Sequence, residues 1–154
     1  MTMTNEDCIF CKIVRGDFPS WKVFESASHI AFLTPFPNTP GFTVVIPKAH
    51  ETGAILSMDE EKYLDLMMAA RNVAHTLERA LNCKRVGLIA EGMGVDHAHV
   101  KLIPMHGIPD GPWKPILSKE PRFTEIYQGY LTTHDGPRMP DAELTRVQNL
   151  ILSA

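Results

Sequence analysis

At 154 residues, with 44% apolar and 21% charged side chains, the chain has the composition of one soluble globular domain and is short for two. A net charge of −3 argues against broad electrostatic binding to nucleic acid or to an anionic membrane surface, although a small phosphate ligand needs only a few local donors. No apolar run nears the roughly 20 residues of a membrane span, and Glu6 and Asp7 stand ahead of the first apolar stretch, unlike the basic and apolar regions of a secretion signal.

In chain order, residues 8–14 (CIFCKIV) are compact and apolar, a short helical turn that Gly16 and Pro19 end. Trp21–Glu25 and Ile30–Leu33 read as strands. Pro35, Pro37, Asn38 and Pro40 then crowd into a loop that fits neither helix nor central strand. Phe42–Ile46 follows as a β-branched third strand closed by Pro47. Ser57 is predicted to start the one long helix, because Ser57 and Glu60 have capping-box spacing. Apolar Leu64, Met67, Met68, Val73, Leu77 and Leu81 recur at helical spacing, and Asn82 is a suitable stop. Arg85–Ile89 and Ala98–Ile103 make a fourth and a fifth strand, joined through Glu91–Gly94. Residues 105–138, rich in Gly and Pro, read as an extended arm, and a last helix runs over 140–153 with Leu144, Val147, Leu150 and Ile151 on one side.

This order predicts an α+β domain with a mostly antiparallel sheet, one long helix and a C-terminal helix. Residues 1–110 form the main domain, and 111–154 form an arm and helix packed on it. There is no βαβ series and no glycine-rich phosphate loop of the Walker or Rossmann pattern. Three cysteines, an odd number, suit a reducing compartment, so a cytoplasmic location is the default expectation.

The most informative stretch is Gly94-Val95-Asp96-His97-Ala98-His99-Val100-Lys101-Leu102-Ile103-Pro104. Side chains alternate along a strand. His97, His99 and Lys101 therefore share one face, while Ala98, Val100 and Leu102 share an apolar face suited to the core. Three nitrogen-bearing side chains in a row repel one another when protonated, but they suit a phosphate or a metal. Two plainer readings stand beside that one: a polar strand face that happens to carry histidines, and a pair of histidines sharing one ion.

HAHVKLIP resembles the His-x-His-x-His motif of the histidine-triad (HIT) family, which Pro usually follows. CIFCKIVRGDFPSWKVFE resembles the family's N-terminal Cys-x-x-Cys segment and first strand, and GFTVVIPKAH its strand ending in Pro-Lys-x-His. Together these cover roughly residues 7–108 in the family's order. The resemblance implies the HIT-like fold, a homodimer, and attack by His99, the middle histidine, on the α-phosphorus of a nucleoside phosphate ligand. Imidazole suits that task, being neutral enough near pH 7 to attack and then a good leaving group. It also implies a structural zinc held by Cys8, Cys11, His50 and His97, with no organic cofactor; the alternative is that both cysteines are merely small buried residues.

Lys101 stands where most of the family has the third histidine, and as a fixed cation it would bind a phosphate oxygen while protonating a leaving group less readily. Thr34 stands where family members often carry an Asp for the ribose hydroxyls. Gly92 and Gly94 could offer backbone N–H groups to a phosphate or simply form a tight turn. The expected activity is hydrolysis of a nucleoside phosphoramidate or phosphoanhydride through a nucleotidyl-His99 intermediate. The alternatives are a nucleotidylyl transferase with altered acid chemistry and a non-catalytic nucleotide-binding dimer. Weaker candidates are His106, facing solvent; His75, structural; and Tyr130, Thr132, Thr133, His134 and Arg138, a polar cluster in the arm. Met67 and Met68 are read as core or dimer packing.

Overall fold

A computed structural model of the chain describes residues 6–112 and 138–153. The first helix, α1 (Ile9–Arg15), ends at Gly16, whose φ of 84° is open to glycine and lets its N–H reach the Ile13 carbonyl. Three strands follow, β1 (Trp21–Glu25), β2 (His29–Leu33) and β3 (Thr43–Pro47). A 3₁₀ turn at Ile55–Ser57 leads into the long helix α2 (Glu60–Leu81), and then come β4 (Val86–Ile89), β5 (Val100–Pro104) and α3 (Asp141–Leu152). Asn82 ends α2 in the left-handed region, as the sequence predicts.

Among the described residues the five strands form one sheet in the order β1-β2-β3-β5-β4. Every neighbouring pair is antiparallel, so the α+β expectation holds. Alternation along the strands produces two cores. Ala31, Leu33, Val45, Ala98, Val100 and Leu102 face α2 and α3. Ile30, Phe32, Val44 and Ile46 face the other way, where Phe10, Ile13 and Val14 of α1 cover them. The result is three layers, with α2 and α3 on one side and α1 on the other. Helix α3 is held by Leu144, Val147 and Ile151 in the larger core and by Gln148 Nε2 donating to the Lys22 carbonyl at 2.7 Å.

Two sequence expectations are corrected. The Ser57–Glu60 capping box does not form. Ile55 turns into the core, and the 3₁₀ turn that buries it uses the Ser57 N–H on the Ala54 carbonyl. Met58 is then extended, and Asp59 is the residue before α2. The buried face of α2 is Leu66, Ala69, Ala70, Val73 and Leu77, not a stripe through Leu64 and Met68, which are each 52% exposed. Leu64 lies about 200° round the helix from Leu66 at 3.6 residues per turn, and the two alanines, invisible to a count of large apolar residues, complete the true face. The arm cluster Tyr130, Thr132, Thr133 and His134 lies outside the described residues.

Leu66 is fully buried, so Leu66→Ala should cost about 2–5 kcal/mol in urea unfolding. Leu64→Ala should cost well under about 1 kcal/mol. Equal losses for the two would contradict the helix orientation described here.

Candidate active site and metal centre

The segment ahead of β5 carries two of the candidate side chains, His97 and His99, and β5 itself carries Lys101. The path of that segment is fixed by the Ala98 N–H on the Glu51 carbonyl (2.8 Å) and by a turn closed from the His97 N–H to the Val95 carbonyl (2.9 Å). Alternation then turns His97 and His99 toward α1, the reverse of Ala98 and Val100. The ring of Phe10 stands edge-on to both, 5.7 Å from His97 and 5.5 Å from His99 between centroids.

His99 is 2% exposed, and its Nδ1 lies 2.8 Å from the His97 carbonyl. A carbonyl only accepts, so Nδ1 carries the proton and donates it, leaving the Nε2 lone pair unprotonated. Burial holds the His99 pKa below its ordinary 6.5; the Lys101 ammonium acts the same way, while the bond to His97 and the charge of Glu91 oppose it. The imidazole is thus neutral at pH 7. Lys101 is ion-paired with Glu91, and their side chains are only 17% and 10% exposed.

A cavity of about 360 Å³ opens beside these groups. Its wall is mostly apolar, with Phe10, Trp21, Phe32 and Phe42 among the lining residues, and His99, Lys101, Thr34 and Gly94 also line it. The Thr34 hydroxyl accepts the Phe36 N–H at 3.2 Å, which leaves its own hydrogen to donate. Gly94 has a φ of 87° and open space where a side chain would stand. Gly92 is different. Its φ is 70°, and a Cβ there would collide with the Gly53 carbonyl, so close packing of two loops accounts for that glycine. The Gly53 N–H donates to Asp96 Oδ1 at 2.9 Å, fastening the same two loops.

Behind the cavity, Cys8, Cys11, His50 and His97 bring one ligand atom each to within 4.8 Å of one another. The spacings between Sγ and Nδ1 are 3.4 Å for Cys8 and His97, 3.6 Å for Cys11 and His97, and 3.3 Å for Cys11 and His50. Zn–S near 2.3 Å and Zn–N near 2.0–2.1 Å in a tetrahedron put neighbouring donors about 3.3–3.8 Å apart, so the four residues could hold a metal ion. His97 Nε2 lies 2.9 Å from the Pro47 carbonyl; it donates there, which bares Nδ1 toward the sulfurs, the orientation that a ligating histidine needs. Burial and the neighbouring Cys8 push the Cys11 thiol up to about 11, a cost that a cation removes by holding the thiolate.

The structure therefore brings all four predicted metal-site residues together, and gathers His99, Lys101, Thr34 and Gly94 round one cavity, with Gly92 standing aside. His106 is exposed, its Nε2 donating to the Pro40 carbonyl, and His75 is exposed on α2 beside Glu78. Sequence reasoning passed over Phe10 and Glu91. Phe10 had a signal, since it lies between Cys8 and Cys11 in one helical turn. Glu91 had a fainter one: Ile89 pairs with Lys101 across β4 and β5, which places residue 91 near the lysine only once the register is known.

A family model described as the HIT domain matches residues 15–108. The protein hit of Bacillus subtilis is 38% identical over 110 residues, which cover 69% of this chain and 76% of that protein. The adenosine 5'-monophosphoramidase of Schizosaccharomyces pombe is 36% identical over 99 residues, 63% of this chain and 73% of that one. The crystal structure of a Hit-like protein from Bartonella henselae superposes with a TM-score of 0.70 at 25% identity, covering 99% of this chain and 98% of that chain. Among the described residues no helix is long and apolar enough to cross a membrane.

The pKa values of His29, His97 and His99 all lie below the ordinary 6.5, in each case chiefly through burial. The unfolded chain therefore binds more protons than the folded one as pH falls below about 6.5. Stability should be full above that pH and decline beneath it. Thermal unfolding between pH 8 and pH 5 checks this, and a melting temperature that rises toward pH 5 would contradict it.

Proposed function

The chain belongs to the HIT domain family, and from that premise we propose that it hydrolyses a nucleoside phosphoramidate or phosphoanhydride at the α-phosphorus. The observation that carries this reading is the state of His99: buried, neutral, its Nδ1–H committed to a carbonyl, and its ring on the wall of a cavity that also holds Lys101. The S. pombe relative named as an adenosine 5'-monophosphoramidase supports the choice of bond.

In this reading the Nε2 lone pair of His99 attacks phosphorus. The P–N or P–O bond to the leaving group breaks, and its electron pair departs with the amine or phosphate, which takes up a proton. Water then attacks the nucleotidyl-His99 and gives up a proton to solvent, replacing the one that the leaving group drew from it; the phosphorus–histidine bond breaks, and its electrons return to Nε2 as the nucleotide leaves. Fixed donors aimed at developing charge lower such barriers most. Lys101, standing in place of the third histidine of the family motif, serves the non-bridging oxygens. The Gly94 N–H adds a second donor, and the Thr34 hydroxyl meets the sugar. The apolar wall receives the rest of the nucleoside.

The metal of this reading is zinc, held by Cys8, Cys11, His50 and His97. When bound it supplies structural fastening, tying α1 to the sheet and so fixing Phe10 against His99. A homodimer completes the proposal; Leu64, Met68 and Leu88, each at least 44% exposed, provide apolar surface for it.

His99→Asn should abolish AMP release from adenosine 5'-phosphoramidate while leaving the circular dichroism and melting temperature near those of wild type. A quenched wild-type reaction should show a nucleotidyl adduct on His99 by peptide mass spectrometry; turnover surviving in the mutant would assign the nucleophile elsewhere. Native mass spectrometry should show a dimer carrying one zinc per 17.2 kDa protomer, lost in Cys11→Ser, and a zinc-free wild type would refute the metal assignment.

A further inference from the structure

Large apolar side chains left one at a time on a protein surface need no explanation. Three gathered at the mouth of one cavity do. Phe18, Phe36 and Met93 all line the cavity beside His99, and they are 47%, 43% and 58% exposed. Phe36 lies two residues past Thr34, and Phe18 lies just past the end of α1, so both go with the walls that take the nucleoside. Met93 is set apart from them. It directly precedes Gly94, whose N–H serves the phosphate in the hydrolase reading.

The backbone on either side of Met93 is held. Gly92, with a φ of 70°, packs against the Gly53 carbonyl too closely to admit a side chain, and Gly94 turns the chain with a φ of 87°. Asp96 Oδ1 accepts the Gly53 N–H at 2.9 Å and fastens the same loops. Between two glycines, Met93 is the residue of this turn that offers a side chain to the cavity. An unbranched thioether on a fixed backbone can fit itself to apolar groups of different shapes.

The direction of attack gives that side chain a partner. His99 is 2% exposed, so its ring stands on the closed side of the cavity, and the three half-exposed side chains mark the open side. Entering and departing groups lie roughly in line across phosphorus. With Nε2 of His99 attacking from the closed side, the departing group extends toward the open side, past Gly94 and against Met93. Covering an exposed apolar surface with another apolar surface is favourable, whereas a polar group placed there gives up water for nothing.

We propose that Met93 is a specificity-determining residue for the leaving group, and that it selects a nucleoside phosphoramidate whose amine carries an apolar body, such as an arylalkylamine. The inference rests on the nucleotide-hydrolase reading and sharpens its substrate class. The P–N bond breaks with its electron pair on the amine nitrogen, which takes up a proton and leaves through the mouth. Met93 touches the carbon body of that amine and no reacting atom.

The test is steady-state kinetics of the full-length protein on adenosine 5'-phosphoramidate and on its N-substituted forms with phenethylamine and with 2-methoxyethylamine, two amines of similar basicity and so of similar leaving ability. Wild type should show a kcat/KM at least about tenfold higher for the phenethylamine compound than for the methoxyethylamine compound, the scale of a contact in an apolar pocket. Met93→Ser should bring the two within about threefold of each other, and Met93→Leu should keep the wild-type ratio. A wild type that does not favour the phenethylamine compound, or a Met93→Ser variant that keeps the wild-type ratio, would overturn the assignment and leave the nucleotide reading standing. AMP release from the unsubstituted phosphoramidate alone would overturn it too. The wild-type comparison needs no variant to fold. Release from none of the three compounds would instead bring down the hydrolase reading and this inference with it.

Discussion

The hydrogen bond from His99 Nδ1 to the carbonyl of His97 ties the two halves of this molecule together. One residue, His97, gives its main-chain oxygen to the ring on the cavity wall and its side chain to the cysteine–histidine cluster behind it. The cluster orients His97 through its ring; the backbone of His97 orients His99. A second carbonyl, that of Pro47, does for His97 what His97 does for His99. Two acceptors that can never donate therefore fix both tautomers, and the chemistry of each ring follows from the strand geometry that put a carbonyl beside it.

The cavity is built from two sources that have little in common. The sheet provides its floor, with Phe32 and Val44 pointing away from the α2 core. Helix α1 provides a wall, and only seven residues long, it is too short to hold its shape by helix formation alone. What holds it is burial of Phe10, Ile13 and Val14 against the sheet together with the positions of Cys8 and Cys11 at its start. Shaping the cavity and assembling the cluster are thus one structural event.

Much of this was legible before any coordinates. The alternation from Ala98 to Ile103 correctly divided core from site, because a period of two leaves no freedom in a sheet with both faces covered. The family motif brought in Cys8, Cys11 and His50, which local pattern could not have linked to His97 across some ninety residues. The misreadings share a cause. Ser57 and Glu60 had the right spacing for a cap, but burial of Ile55 took the turn first. Leu64 and Met68 were counted for size, although the sheet accepts Ala69 and Ala70 because a helix with small residues packs close. Gly92 was read either for its N–H or as a tight turn, and its lack of a side chain answers to the Gly53 carbonyl, a loop approach that the sequence does not encode locally. Glu91 went unseen since its partner is set by strand register and not by spacing along the chain.

The separation of the cluster residues has a consequence for biosynthesis. Cys11 lies 39 residues before His50 and 86 before His97. As the chain emerges from the ribosome, the two thiols and the first imidazole can meet early, but the last ligand arrives with the strand that also carries His99. Closing that long loop has its entropic cost, and it completes the cavity wall and orients the His99 ring in the same moment. Cavity and cluster are therefore incomplete until nearly the whole domain has been made, and both appear in a single late step.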